Sequence, residues 1–327
     1  MATKKRRRRH PMRLLLILLF VLATLAGIYR CVVRPLELPA AKPEETPEQS
    51  DPAEPAPPPA AERKPNFFNI LVSGVDDGNG GSDTNILVSF DAGGKAVHCV
   101  SIPRDTLVNT DWKIKKINAA YNIGGTERLA SEVSRLLGVP VDFTVQVNLQ
   151  GFIDLVNAIG GVDFEIPISM NYDDPLQNLH IHFKKGMKHL DGKQAMGVVR
   201  FRHNNDGSGY GTEDIGRIGT QQAFLKAVIK KMLSLENLDQ IPTYAKLFGE
   251  YVKTELSVGQ MAWLGQEAMK IGVEGIQFHT LPGDGSGFYK GIGYYTLNKA
   301  ETLTLVNSYL NPYTAPRSAG DLDILEP

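Results

Sequence analysis

Three short clusters of polar residues carry the chemistry this sequence could do. The first, Gly74-Val-Asp76-Asp77-Gly-Asn-Gly-Gly-Ser82-Asp83-Thr84, lies between two apolar runs. Carboxylates and glycines crowded into one loop suit a hard cation such as Mg2+, which takes carboxylate oxygens and keeps its waters. A plain Asp/Gly-rich turn has the same composition. No acid falls at the twelfth position counted from Asp76 or Asp77, so the loop is not an EF-hand. The second cluster is Ser101-Ile-Pro103-Arg104-Asp105-Thr106. Pro103 stops a strand and leaves Arg104 at its tip, where a guanidinium can grip phosphate oxygens in bidentate fashion. An Arg–Asp surface pair is the commoner outcome of such a motif. The third is Val198-Val199-Arg200-Phe201-Arg202-His203, then a polar Gly-rich loop, then Asp214-Ile-Gly-Arg217-Ile-Gly-Thr-Gln221-Gln222. An extended 198–202 would point Arg200 and Arg202 the same way. A helix would put Asp214, Arg217 and Gln221 on one face. Three nearby arginines repel unless an anion sits among them; a pyrophosphate would neutralise them, with a metal taking the remaining charge.

Other chemistries lack their signatures. There is no Gly-x-x-x-x-Gly-Lys-Ser/Thr loop and no Gly-x-Ser-x-Gly elbow. His180, His182, His189 and His203 are close in sequence, but a histidine metal site needs a convergence that spacing alone does not supply. Gly283-Asp-Gly-Ser-Gly287 reads as a turn.

The elements that must hold these clusters follow from periodicity. Phe67–Ser73, Asn85–Phe90 and Lys95–Ile102 read as strands, as does the alternating Val141–Val147. Thr126–Leu137 shows a helical apolar face ended by Gly138 and Pro140, and Gln150–Ile159 is helical before Gly160-Gly161 turns into strand Val162–Ile166. His180–Phe183 reads as a short strand, Ile215–Leu233 as a long helix, Ser257–Met269 as another, Gly275–Leu281 as a late strand and Thr296–Leu310 as a closing helix. Strands alternating with helices, with neither an internal repeat nor a second linker, indicate one layered α/β domain.

Charge and hydropathy divide the chain unevenly. Of 35 basic residues, nine lie in the first 34, where there is no acid; the remainder has 26 bases against 36 acids. An acidic body argues against a general nucleic-acid binder. The basic block Lys4–Arg9 precedes the uncharged run Leu14–Tyr29, which with Cys31–Val33 reaches about the length of a bilayer-crossing helix. The positive residues predict a cytoplasmic N-terminus with the rest exported. A cleaved signal peptide fits less well, because Arg30 and Arg34 stand where a small-x-small site would be. Residues 35–65 hold ten of the 20 prolines and no aromatic residue, so they read as an extended acidic spacer. The expected organisation is therefore a basic cytoplasmic tail 1–13, a transmembrane anchor 14–33, a disordered linker 34–66, an extracytoplasmic domain 67–315 and a frayed tail 316–327. Cys31 and Cys99 read as buried small residues rather than a disulfide.

These clusters, in this order, resemble the LytR-CpsA-Psr family of cell-wall glycopolymer transferases. The resemblance rests on Asn69-Ile-Leu-Val-Ser-Gly-Val-Asp76, Ser82-Asp83-Thr84, Ser101-Ile-Pro-Arg104-Asp105, Lys116-Ile-Asn-Ala-Ala-Tyr121, Gly160-Gly-Val-Asp163, Leu190-Asp-Gly-Lys-Gln-Ala195 leading to Arg200-x-Arg202, Asp214-x-x-Arg217 and Gln221-Gln222. It implies a central mixed sheet flanked by helices in an α-β-α domain, with a lipid tunnel under a pyrophosphate site. It implies transfer of a glycopolymer, such as teichoic acid or capsule, from a polyprenyl-pyrophosphate carrier to peptidoglycan, with Mg2+. By motif position Asp76, Asp83 and Asp214 look like the metal-side acids. Arg104, Arg200, Arg202 and Arg217 look like the pyrophosphate clamp, with Lys116 and Gln221 as supporting contacts. Asp76 or Asp83 would accept the acceptor hydroxyl's proton. Val145, Phe224 and Val228 would line the tunnel or be ordinary core. Two positions depart from the pattern: Gly81 and Thr220 stand where relatives often carry arginine. A pyrophosphate hydrolase and a non-catalytic lipid-binding or regulatory envelope protein are the competing readings.

Overall fold

The computed structural model describes residues 33–38, 62–75, 81–176, 178–211, 213–232, 234 and 249–326, with the side chains of 213–215 left out. The chain opens with an antiparallel meander, β1 (Phe67–Val75), β2 (Ser82–Asp91) and β3 (Ala96–Ile102). Helix α1 (Ala119–Leu137) follows, broken at Gly124 and Gly125, where Gly125 takes φ +66°; the part beyond the break is the helix expected from Thr126. Then come β4 (Phe143–Asn148) and α2 (Leu149–Ala158), the latter capped by the Asn148 carboxamide accepting from Gly151 N at 2.7 Å. Four short strands make two hairpin-like pairs: β5 (Val162–Ile166) with β8 (Gly186–Leu190), and β6 (Met170–Asp174) with β7 (Leu179–Phe183). Helices α3 (Gly192–Arg200) and α4 (Glu213–Met232) are next, then β9 (Val252–Thr254), α5 (Val258–Ile271), β10 (Ile276–Thr280), β11 (Gly283–Tyr289), β12 (Ile292–Leu297) and α6 (Lys299–Leu305).

Six strands form one mixed sheet in the order β10-β3-β2-β1-β4-β9, with β1–β4 and β10–β3 parallel. Because side chains alternate along a strand, the sheet has two apolar faces. One carries Leu71, Leu87, Val100 and Ile102 against Leu129, Val133 and Leu137 of α1 and the end of the chain. The other carries Phe68, Ile70, Ile86 and Phe90 against α5, whose Trp263 meets Phe68 edge-on at 6.2 Å, and against Leu225 and Ile229 of α4. A separate cluster, with Ile166, Ile181, Phe201, Phe224 and Val228, fills a lobe built from α2, α3, α4 and the short strands. The mixed α/β domain with a central mixed sheet is thus present, and this lobe adds a body that strand–helix alternation did not foretell.

Several expectations need correction. Val198–Arg200 is not extended but ends α3, which a capping box between Asp191 and Gln194 starts. The glycine-rich 283–287 is not a turn but the irregular part of β11, where Asp284 accepts from Ser286 N at 2.8 Å. Thr296–Leu310 is the end of β12, then α6 capped by Asn298, then a π-helical turn Val306–Leu310. The tail 316–327 does not fray over its described part: Leu322 and Ile324 are buried on the α1 face, and Arg317 Nε donates to Gly138 O at 2.7 Å. Of the expected linker 34–66, Leu36 is buried with Phe68 and Phe143, while Arg34 N bonds Gly259 O at 3.2 Å, so residues 33–38 dock on α5. Apolar surface beats linker composition at both places.

No described helix is long and apolar enough to cross a membrane. The expected span 14–33 lies outside the described residues apart from Val33. Cys99 is a free, buried thiol, and burial pushes its pKa up to about 12, so it is a packing residue at neutral pH.

Candidate anion-binding cleft

The cleft forms where β2 begins and β3 ends, beside the first turns of α4. Asp83, Thr84 and Asn85 line it from β2, Ser101 to Arg104 from the end of β3, and Arg217, Ile218 and Gln221 from α4. Arg104 Nη1 bonds Asp83 Oδ1, and its Nε lies 3.5 Å from Asp105 Oδ1. Lys116 reaches the other oxygen of Asp105 at 3.0 Å, so Asp105 ties two cations that sequence alone left separate. Arg217 is only 5% exposed, an unusual place for a guanidinium.

The Arg104 loop is held rigidly. Thr106, fully buried, donates its hydroxyl to Pro103 O at 2.6 Å, and Asn118 N donates to Arg104 O at 3.2 Å. From the far end of the chain Tyr295 N donates to Asp105 O, and Tyr295 O accepts from Leu107 N, both at 2.9 Å. Burial, with the Asp284 charge adding to it, raises the Tyr295 phenol to about 12; its hydroxyl donates to Leu281 O at 2.7 Å. Tyr295 is a site-supporting residue without a sequence signal, because its partner is almost two hundred positions away.

Helix α4 joins the sheet to the lobe. Gln222 Nε2 donates to Ser101 Oγ at 2.9 Å, to His279 O at 2.8 Å and to Thr280 Oγ1 at 3.0 Å. Gln221 Nε2 donates to Val199 O at 2.9 Å, one residue before Arg200. Gln221 therefore positions the end of α3 while lining the cleft, and Gln222, present in the motif, proves to be the bolt to the sheet. Arg200 is the last residue of α3 and Phe201, 1% exposed, is its extended C-cap. The two arginines are thus separated by a helix end anchored through Phe201, so strand alternation does not align them, and neither lines the cleft itself.

The two departures from the family pattern have local causes. Gly81 has φ +71°, and a Cβ there would lie 2.9 Å from Asn118 O, so this backbone has no room for an arginine. Thr220 is 5% exposed and bonds the Tyr210 hydroxyl at 2.9 Å. Tyr210 in turn stacks edge-on against Phe201 at 5.6 Å, with burial raising its phenol pKa. A threonine at 220 thus fastens the loop between the arginines instead of adding a charge.

Of the expected residues, the structure brings Asp83, Arg104, Arg217 and Gln221 to one cleft, with Lys116 joined through Asp105. Asp76 lies outside the described residues, and of Asp214 only the helical position in α4 is described. Among the described residues Arg104 is the sole bonding partner of Asp83, through one carboxylate oxygen, and the side chain is 45% exposed. A hard-oxygen donor with an oxygen to spare fits a Mg2+ ligand. Phe224 and Val228 are 1% and 2% exposed within the lobe core, so they are packing residues; Val145 lies on the sheet and is only partly buried.

The family model of the LytR_cpsA_psr family matches residues 38–309. The chain is 33% identical over 268 residues to the polyisoprenyl-teichoic acid–peptidoglycan teichoic acid transferase TagV of Bacillus subtilis, covering 77% of this chain and 67% of the relative. It is 35% identical over 244 residues to the TagU transferase of the same description from Bacillus cereus, covering 73% and 76%. Among solved structures it resembles B. subtilis TagV with a TM-score of 0.63 and 30% identity, over 74% of this chain and 95% of that one. It also resembles TagT bound to LI-WTA, with a TM-score of 0.57 and 25% identity, over 74% and 88%.

Proposed function

Because the chain belongs to the LytR_cpsA_psr family, we propose that it moves an anionic glycopolymer from a polyprenyl-pyrophosphate carrier to a hydroxyl of peptidoglycan, leaving a phosphodiester. One observation carries the reading: α4 bears Arg217 and Gln221 at the charged cleft and, one to three turns on, Leu225 and Ile229 over an apolar sheet face on which several side chains are only partly buried. A lipid pyrophosphate needs that sequence of environments, a cationic head-group site continuing into an apolar trough. Val72, Val88 and Val145, on the adjacent strands β1, β2 and β4, are incompletely buried on that face. The curated relatives act on polyisoprenyl-linked teichoic acid and peptidoglycan, which supports the same two partners here.

In this mechanism Arg104 and Arg217, with Arg200 and Arg202 closing from the end of α3, bind the pyrophosphate oxygens and offset the charge that builds on them. The acceptor hydroxyl attacks the sugar-side phosphorus. A new O–P bond forms, the bridging O–P bond breaks, and polyprenyl phosphate leaves with the electron pair. The hydroxyl proton passes to Asp76 or Asp83. Mg2+ held by Asp83 with Asp76 and Asp214 would supply further positive charge at the pyrophosphate. Lys116 and Gln221 act by position, the first through Asp105 and the second through the Val199 carbonyl. The basic tail 1–13 and the apolar run 14–29, extended by 31–33, support a single-pass anchor with a cytoplasmic N-terminus and the catalytic domain outside.

The test is to incubate the purified full-length chain with Mg2+, a polyprenyl-pyrophosphate glycan and a peptidoglycan oligomer, and to look for the joined product by mass spectrometry. A joined product lost in Arg200→Ala supports the transferase. Release of free phosphorylated glycan alone would make the protein a hydrolase, and lipid binding without turnover would make it a binding protein.

A further inference from the structure

Away from the cleft, hairpin β6–β7 gathers a second set of polar side chains on its outer face. Asp173 is the cross-strand partner of His180, and Asn171 is the partner of His182. Residues two apart on a strand share a face, so all four side chains stand together, while Ile181 turns inward and is fully buried in the lobe core. His180 Nδ1 lies 2.5 Å and His182 Nε2 3.2 Å from the same oxygen, Asp173 Oδ1. One ligand atom from each of the three residues lies within 4.8 Å of the others, the sole such group among the described residues.

The histidine orientation adds the second half of the argument. His182 Nδ1 is 2.8 Å from the Asn171 side-chain oxygen, an atom that can only accept. With Nδ1 donating to that oxygen, Nε2 faces the Asp173 carboxylate with its lone pair. A lone pair facing a carboxylate oxygen calls for a cation between them: either a proton or a metal. A ring whose far nitrogen is fixed by an amide or carboxylate oxygen is the usual arrangement around a metal-bound imidazole. Two imidazoles and one carboxylate suit zinc and its neighbours rather than Mg2+.

We propose that Asp173, His180 and His182 form a surface site for a divalent transition metal of the zinc type, and that the metal staples the β6–β7 hairpin to the loop between the clamp arginines. The coupling runs through the backbone. Asn204 Oδ1 accepts from Asn171 N at 2.6 Å, and Asn205 Oδ1 accepts from Asp173 N at 2.7 Å. Asn205 Nδ2 returns a bond to Asp173 O at 3.0 Å. Both asparagines follow directly on Arg202 and His203, so fixing the hairpin fixes the exit from the arginine pair. Three protein ligands leave the remaining positions to water, which suits a site at the surface.

The test is a Zn2+ titration of the untagged full-length chain in detergent against a competing chelator dye. One zinc per chain is expected, with affinity falling roughly tenfold or more in His182→Ala and Asp173→Asn and by about tenfold in Asn171→Ala. His189→Ala, which removes only an exposed pair with Asp163, should leave it unchanged. Hydrogen exchange at the amides of Asn171 and Asp173 should slow when zinc is added to the unmodified chain and not in His182→Ala. Equal zinc affinity in the unmodified chain and His182→Ala would overturn the site and leave a protonated histidine–aspartate pair. Zinc binding with unchanged exchange at those amides would overturn the staple.

Discussion

The two faces of the central sheet are made from the same strands and packed in different ways. On the α1 face Leu71, Leu87, Val100, Leu129, Val133 and Leu137 are all 0% exposed. On the α5 face the immediate sequence neighbours Val72 and Val88 are only partly buried, and α5 itself has no fully buried residue. A face closed to solvent carries stability, because every methyl removed from it leaves both lost burial and a cavity. A face whose side chains are only partly buried gives up some of that stability and leaves apolar surface that a lipid chain could cover. The charged cleft opens at the end of α4 that runs onto the second face, and that conjunction is why the lipid-carrier reading is preferred.

That contrast can be broken most forcefully at the tail. Deleting 316–327 takes Leu322 and Ile324 off the closed face and should cost roughly 3–6 kcal/mol in urea unfolding, counting about 1.5–3 kcal/mol per buried aliphatic side chain. A truncated chain as stable as the full one would show that the closed face does not depend on its last strip of cover. Next in size, Val100→Ala on the closed face should destabilise by about 2–3 kcal/mol, and Val88→Ala on the open face by about 1 kcal/mol. Equal losses would remove the distinction between the faces. Filling the open face should act in the other currency: Val88→Phe should lower transfer from a long-chain carrier about tenfold, about 1.4 kcal/mol, with the melting temperature nearly unchanged. A short-chain carrier should be spared.

The smallest expected effect concerns the edge of the closed face, where His98 and His279 lie 3.2 Å apart and Tyr309 stacks on His279 at 4.3 Å. Burial lowers both histidines from the ordinary value of 6.5, and for His98 the neighbouring His279 lowers it further. A depressed histidine contributes stability above its unfolded value and loses it as pH falls through 6.5 toward the folded value. The urea midpoint should therefore drop between pH 7.5 and 5.5, and drop less in His279→Gln. An identical drop in that variant would assign the acid sensitivity to other groups.

Much of this was legible in the sequence, for a local reason. Apolar runs marked β1 to β3 and clean alternation marked β4, Gly138 and Pro140 marked the end of α1, and Ser257 marked the start of α5, because each of those signals is written within a few residues. Family motifs brought out Asp83, Arg104, Arg217 and Gln221, and the fold does bring them to one cleft. The short lobe strands β6 and β8 went unseen, since five residues with mixed burial carry little period. Composition misled at 33–38 and at 316–326, where proline, glycine and charge suggested loose chain while Leu36, Leu322 and Ile324 each found an apolar surface.

By itself, then, the sequence determined most strands of the central sheet and the longer helices, the acidic body with its isolated arginines, and the chemistry that those arginines could do. Only the tertiary structure decided that Asp105 joins Arg104 to Lys116, that Tyr295 pins their loop, that Gly81 leaves no space for an arginine, and that Asp173 meets two histidines across a hairpin. Periodicity is a property of neighbouring residues. Convergence of side chains depends on loop paths and strand register, and these are set by burial summed over the whole core.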